Sequence, residues 1–444
     1  MCSKRLRRIG LTLFCLSAVV FGGIAQPVSH PSLNSSATAA NGLKLTLTGR
    51  WQNYNPREES THAGAIKSPK SVHIHPDGSK VYVNSLEGCN TVVFDAKTKA
   101  QLANIEHNFS GGEGDLWTHP SGFYKFRHYK SGNRNLDKFM GKPVESAFSH
   151  GGRYLWVPYY RRSYDINAQD PSALAVIDTK TDKIVRIMEA GVLPKMIAVS
   201  PDSRRVAIAH WGDNTVGYID ISSDDPGKWR HLKPFVVDQQ IFWNLSLTNS
   251  VNRDSGSGNA LRGTAFTPDG RYLLVACMSG NGGIGVIDTK TEKYLGKLYG
   301  TMANTRHILF SHGYLYMSVN NSGYVTRISE ANLLKAIDAL RAKGSSYTIP
   351  GGELQRVKVG QGARTIVASP DGRYIFAACN FNNSVDVVDT RSWQKILSMS
   401  VDSYPVGMDI SADGKTLYVT MQARKDKYTS GNCVDIIRVS YPEQ

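Results

Sequence analysis

One pattern recurs seven times along this chain: a strand runs into a Pro-Asp-Gly-like corner, a second strand follows, and a third strand ends near Asp-Thr. Three copies are clear: IAVSPDSRRVAIAHWGDNTVGYIDIS, TAFTPDGRYLLVACMSGNGGIGVIDTKT and TIVASPDGRYIFAACNFNNSVDVVDTRS. Four are fainter: VHIHPDGSKVYVNSLEGCNTVVFDAKT, SAFSHGGRYLWVPYY with ALAVIDTKT, ILFSHGYLYMSVNNSGYVTRIS, and MDISADGKTLYVTMQ with CVDIIRVS. A sheet of three or four short strands cannot bury both its faces alone, whereas sheets stacked around a ring can. Self-similarity at about 40 residues therefore predicts an all-β fold, a seven-bladed β-propeller.

The ends of the chain say how the ring closes. The last copy supplies strands at 406–411, 415–421 and 433–439 and lacks an outer one. Leu43-Lys44-Leu45-Thr46-Leu47-Thr48 alternates apolar and polar residues as a half-buried strand does, so it is assigned as the fourth strand of the last blade. Residues 43–444 then form one domain, and the 41% of aliphatic and aromatic residues suffice to fill the layers between blades. Residues 26–42, rich in Ser, Ala, Pro and Asn, read as a disordered leader. Glu330 to Lys343, EANLLKAIDALRAK, has helical apolar spacing and is expected as a decorating helix between strands.

Residues 1–25 have the form of a secretory signal: Lys4, Arg5, Arg7 and Arg8 precede an apolar stretch from Ile9 to Ile24. Leu13-Phe14 before Cys15 is a poor match to a lipid-anchor site, so a lipoprotein is not expected. No later segment is apolar enough to span a membrane. The expectation is an exported monomer, periplasmic or attached to the cell surface. Cys277 and Cys379 fall at equivalent points of non-adjacent repeats and read as buried thiols. Cys89 and Cys433 open third strands of the first and last blades, and equivalent points on neighbouring blades usually lie beyond the reach of a cystine.

SPDGRYIFAACNFNNSVDVVDTRSWQKI, followed by YPVGMDISADGKTLYVT, resembles the YVTN-type propeller repeat of bacterial surface-layer and periplasmic proteins, within the lactonase-like propeller superfamily. The resemblance covers roughly residues 70–440 and implies the fold. It leaves function open among binding proteins, lactonase-like enzymes and dehydrogenase subunits.

The loops and one aligned position point to where function lies. Turns joining first to second strands and third to fourth strands are short and uniform, and share one face of the disc. The long, dissimilar connections, 107–143 and 236–259 above all, leave from the opposite face, where a ligand site is expected. The residue that opens each innermost strand is Lys70, Val144, Lys195, Arg262, Arg306, Arg364 and Val406 in turn. Five cations at one level of a central channel would either attract an anion or pair with carboxylates such as Asp409 or Glu145. Loop 107–143 interleaves aromatic and basic residues, Trp117, Phe123, Tyr124, Lys125, Phe126 and Arg127 among them. It reads either as a recognition loop, able to grip a partner protein or single-stranded nucleic acid, or as a plug over the channel. Trp211 lies on the same face.

Chemistry-bearing motifs are sparse. His73 and His75 form an H-x-H pair with no evident third ligand, so no metal is assigned. The absence of Cys-x-x-Cys-His speaks against attached haem, and no cofactor is implied. The formal charge of +15 falls to +11 once the four cations of the signal segment are removed, which favours anionic partners. Two readings result. One is a non-enzymatic exported propeller that binds an anionic ligand, envelope polymer or partner protein through Lys70, Lys195, Arg262, Arg306, Arg364, Trp117, Arg127 and Trp211. The other is a lactonase-like hydrolase of an anionic ester or lactone, with His210 or His307 as base.

Overall fold

The computed structural model describes residues 30–110, 115–117, 121–124, 138–163, 165, 167–241, 252–422 and 431–442. Among them, seven sheets of antiparallel hairpins form the blades. Six innermost strands are Pro69–Ile74, Pro194–Val199, Leu261–Phe266, Thr305–Ser311, Ala363–Ala368 and Pro405–Ile410. In blade 2 the inner strand is split into Phe139–Pro143 and Ala147–Ser149, which pair with the two halves of Tyr154–Arg162. The first strand of blade 1 lies beside that of blade 7, so the ring is closed.

Closure uses the strand expected from the sequence. Lys44–Gln52 pairs antiparallel with Cys433–Ser440 as the fourth strand of blade 7, placing Leu45 opposite Val439 and Leu47 opposite Ile437. Alternation decides which face is buried: Leu43, Leu45 and Leu47 enter the layer between blades 6 and 7 with Phe376, Val387 and Val419. The expectation of a disordered leader is corrected for residues 30–42. Ser36–Thr38 pairs with Lys44–Thr46, and the His30 ring meets Asp402 at 2.5 Å. The tight return through Asn41 and Gly42, with Gly42 at φ 89°, lets this segment fold back on the strand. Residues 1–25, read from the sequence as a secretory signal, lie outside the described residues.

The uniform turns do share one face. Thr179, Thr289 and Thr390, each following the Asp that ends a third strand, donate from Oγ1 to the carbonyls of Gly152, Gly270 and Gly372 at the corners. Thus the Asp-Thr signature ties the outer turn of each of these blades to its inner one. Helix α1 (Glu330–Lys343) forms as expected, capped by the Ser329 hydroxyl and ended by Gly344 at φ 86°. It buries Leu333, Ala336, Ile337 and Leu340 against blades 4 and 5. Cys89, Cys277, Cys379 and Cys433 are buried free thiols.

Candidate functional site

Two backbone devices bring each inner strand to the axis. The first is a left-handed residue two positions before the aligned position, immediately preceding each strand: Ser68, Leu193, Ala260, Asn304, Gly362 and Tyr404, at φ 51° to 81°. Only one of these is glycine, although the left-handed region disfavours any residue with a Cβ. The second is a register shift in the first rungs of the six continuous inner strands, as between Pro194 and Ile197 or between Leu261 and Thr264. A bulge turns extra side chains out of the ladder. Here the shifts enclose the five aligned cations and, in blade 7, Val406.

The five aligned cations act on one another: Arg364, Arg262 and Arg306 on Lys70, and Arg262, Arg306 and Arg364 on Lys195. Lys70, Arg262 and Arg364 are at most 7% exposed. Burial and the charges of Arg364, Arg262 and Arg306 push the Lys70 ammonium well below the ordinary lysine value. Burial likewise lowers Arg306, aided by Arg364 and Arg262, and brings Arg364 down to about 10, aided by Arg262. These groups come from blades 1, 4, 5 and 6, so the inner strands bring their charges together at the axis.

Two carboxylates offset part of this charge. Arg262 of blade 4 donates from Nη2 to Glu145 of blade 2 at 2.9 Å, so the pair spans the channel between non-adjacent blades. Burial alone would raise the Glu145 carboxyl, but Arg262 and Lys70 hold it below its ordinary value. Asp254, from loop 236–259, lies 3.6 Å from the Lys195 ammonium. That ammonium also sits 3.8 Å from the ring centre of Tyr160 and 5.1 Å from that of Trp211, an arrangement that favours a cation on an aromatic face. Trp211 Nε1 donates to the Asp254 carbonyl at 3.2 Å, and the Tyr160 hydroxyl donates to the Asp254 carboxylate. Arg364 is hydrogen-bonded to Tyr404. Asp409 accepts from the Ile74 amide at 2.8 Å instead of pairing with a ring cation.

Among the described residues Lys70 and Arg306 have neither a hydrogen bond nor an ion pair to their side-chain nitrogens, and Arg306 Nε is fully out of solvent. Two histidines share the channel. His307 Nδ1 accepts from the Ile366 amide at 3.3 Å and His73 Nε2 from the Ser146 amide at 3.1 Å. Burial lowers both rings to about 4, so both are neutral near pH 7. His73 and His75 therefore act separately: His75 lies at the corner face, bonded to Asp77 and the Gly152 carbonyl.

Other expectations fall elsewhere. Trp117 is not at the mouth. It bridges to Ile187 in the outer strand of blade 2 and packs on Phe139, with the Arg162 guanidinium 5.1 Å from its ring. Tyr124 of the same loop stands edge-on to His210 and His231 of blade 3. The described part of loop 107–143 thus covers blades 2 and 3, because its apolar rings find more area there than over the charged axis. Arg127 lies outside the described residues. His210 is not a base at the mouth: it is fully buried, its Nε2 accepting from the Gly191 amide and its Nδ1 bonded to Thr215. Sequence reasoning missed Asp254 and Tyr404 as partners of the ring. Only the left-handed conformation at Tyr404, next to Pro405, marks either one, and that is invisible in sequence.

Comparison with known proteins agrees with this architecture. A family model described as "Lactonase, 7-bladed beta-propeller" matches residues 153–429. Hydrazine synthase subunit beta of Kuenenia stuttgartiensis is 26% identical over 254 residues, 49% of this chain and 59% of that protein, so the match spans less than two thirds of the relative. The solved hydrazine synthase of the same organism superposes with a TM-score of 0.57 at 15% identity, covering 85% of this chain and 97% of that one. A chain of the mitotic checkpoint complex gives a TM-score of 0.53 at 12% identity, covering 98% and 99%. The structural likenesses speak for the fold alone, but the family match covers more than half of the chain, and the protein belongs to the seven-bladed β-propeller lactonase family.

Proposed function

We propose that the protein is an exported, non-enzymatic propeller that takes a small anion, or an acidic group projecting from an envelope partner, into its channel mouth. The observation that carries this reading is Arg306, whose Nε is out of solvent with no partner among the described residues, beside the buried guanidiniums of Arg364 and Arg262 and the Lys70 amine. Keeping such charges unpaired is costly, and an anion with oxygens on several sides relieves it. A compact anionic group fits better than a polymer laid flat, since Lys70, Arg262 and Arg364 are at most 7% exposed. The YVTN-type repeat and the basic charge of the mature chain fit an envelope setting. The relative's name as one subunit of a synthase supports a role beside a partner protein.

Titration calorimetry of the full mature chain with inorganic phosphate and with succinate tests this. Binding should weaken by about tenfold or more in Arg306→Gln/Arg364→Gln, since each lost charge-assisted hydrogen bond is worth about 1.5–3 kcal/mol. Unchanged affinity would remove the ring from the site.

A hydrolase reading is kept because His307 stands neutral in the same channel and the family is named for lactonases. Here His307, not His210, would take the proton of an attacking water while the arginines hold the substrate's anionic group. A lactone screen in which His307→Ala retains full turnover discards it.

A further inference from the structure

We propose that Lys70 is a carbonyl-trapping amine, which forms an imine with a small anionic carbonyl compound, a 2-oxo acid, drawn into the channel mouth; this rests on the anion-binding reading above. The argument begins with where Lys70 is held. It is the second residue of the inner strand of blade 1, within the register shift between Pro69 and Ser71, and is 7% exposed. Its backbone is clamped by blade 7: a Cβ built on Gly407 would lie 2.7 Å from the Lys70 carbonyl oxygen, so only glycine allows this approach. Its ammonium has no hydrogen bond or ion pair among the described residues, whereas Lys195 in the same ring has Asp254. Glu145, the carboxylate closest to playing that part, is engaged by Arg262.

The groups that act on Lys70 electrostatically are Arg364, Arg262, Arg306 and Glu145. Three of these four are cations, and they favour the neutral amine. Desolvation and neighbouring positive charge are how a lysine becomes a nucleophile near neutral pH. The same arginines supply what a 2-oxo acid needs, because a guanidinium presents paired donors matched to a carboxylate. Lys70 Nζ would attack the carbonyl carbon, the carbonyl oxygen would take protons and leave as one water, and a carbon–nitrogen double bond would remain. No electrons change hands and no further reactant is needed. Neutral His307 and His73 lie in the same channel as groups able to relay those protons.

The test is reductive trapping on the full mature chain: pyruvate with sodium borohydride at pH 7, followed by peptide mapping. Lys70 should carry the reduced adduct at least about tenfold faster than the exposed lysines, in keeping with its larger neutral fraction. Labelling should fall when inorganic phosphate competes, and acetone, which has no carboxylate, should label poorly. Lys70→Arg removes the amine and should abolish the reduced adduct at this position. Adduct spread evenly over surface lysines, with pyruvate binding intact, overturns the imine and leaves the anion site standing. Loss of both trapping and calorimetric binding in the unaltered protein overturns the anion site as well.

Discussion

Arg262 Nη2 lies 2.9 Å from Glu145 Oε1, and that single ion pair joins blade 4 to blade 2 across the axis. Both residues are less than 10% exposed, so removing one partner leaves a buried charge unmatched. Glu145→Gln should lower stability by roughly 2–5 kcal/mol in low-salt chloride buffer. Phosphate should restore more thermal stability to this variant than to the parent, because an external anion can stand where the carboxylate stood. Equal phosphate shifts in the two proteins would contradict this.

Gly407 sets the spacing of the ring closure. Its amide bonds Thr420 Oγ1 at 2.9 Å, and a Cβ there would approach the Lys70 carbonyl and Ser71 Cα at 2.7 Å. Gly407→Ala should therefore cost about 1–3 kcal/mol through backbone displacement. Gly351, which has open space around it, serves as control: Gly351→Ala should change stability by no more than about 0.5 kcal/mol in denaturant titration.

Arg50 carries the charge that fastens the closing strand. It reaches Asp435 at 2.7 Å and Asp402 at 2.9 Å, both fully buried. Arg50→Met leaves two carboxylates facing each other and should cost roughly 3–5 kcal/mol. Limited proteolysis should then cut first between the closing strand and blade 1, within 53–68.

Asp213 gives stability a pH dependence. Burial raises its carboxyl to about 6, against the hydrogen bonds from the Thr215 amide and hydroxyl. The folded state thus holds a proton that the unfolded chain has already lost, so this residue's contribution is fully present below about pH 4 and is lost as pH rises through about 6. Asp213→Asn should flatten the fall in stability between those values by about 2–3 kcal/mol. A parallel pair of stability–pH curves would count against it.

The fold was legible because local pattern and global architecture agree. Three repeats with Pro-Asp-Gly corners set the blade, alternation in Leu43 to Thr48 placed the closing strand, and apolar spacing in 330–343 gave the helix. The leader was misread since composition alone does not report that Ser36–Thr38 has a strand edge to join. At the site, aligning repeats identified the five cations because equivalent positions in a ring are equivalent in space. It could not say which would be paired. Glu145 and Asp254 reach their partners across 117 and 59 residues of chain, and Trp117 left the mouth for an apolar layer whose position no local pattern records.

By itself, then, the sequence determined the number of blades, the closing strand and the ring of cations, all properties of a repeated local code. Only the tertiary structure decided that Arg262 and Lys195 are answered by carboxylates while, among the described residues, Lys70 and Arg306 are not, because pairing in a channel depends on which side chains meet across it.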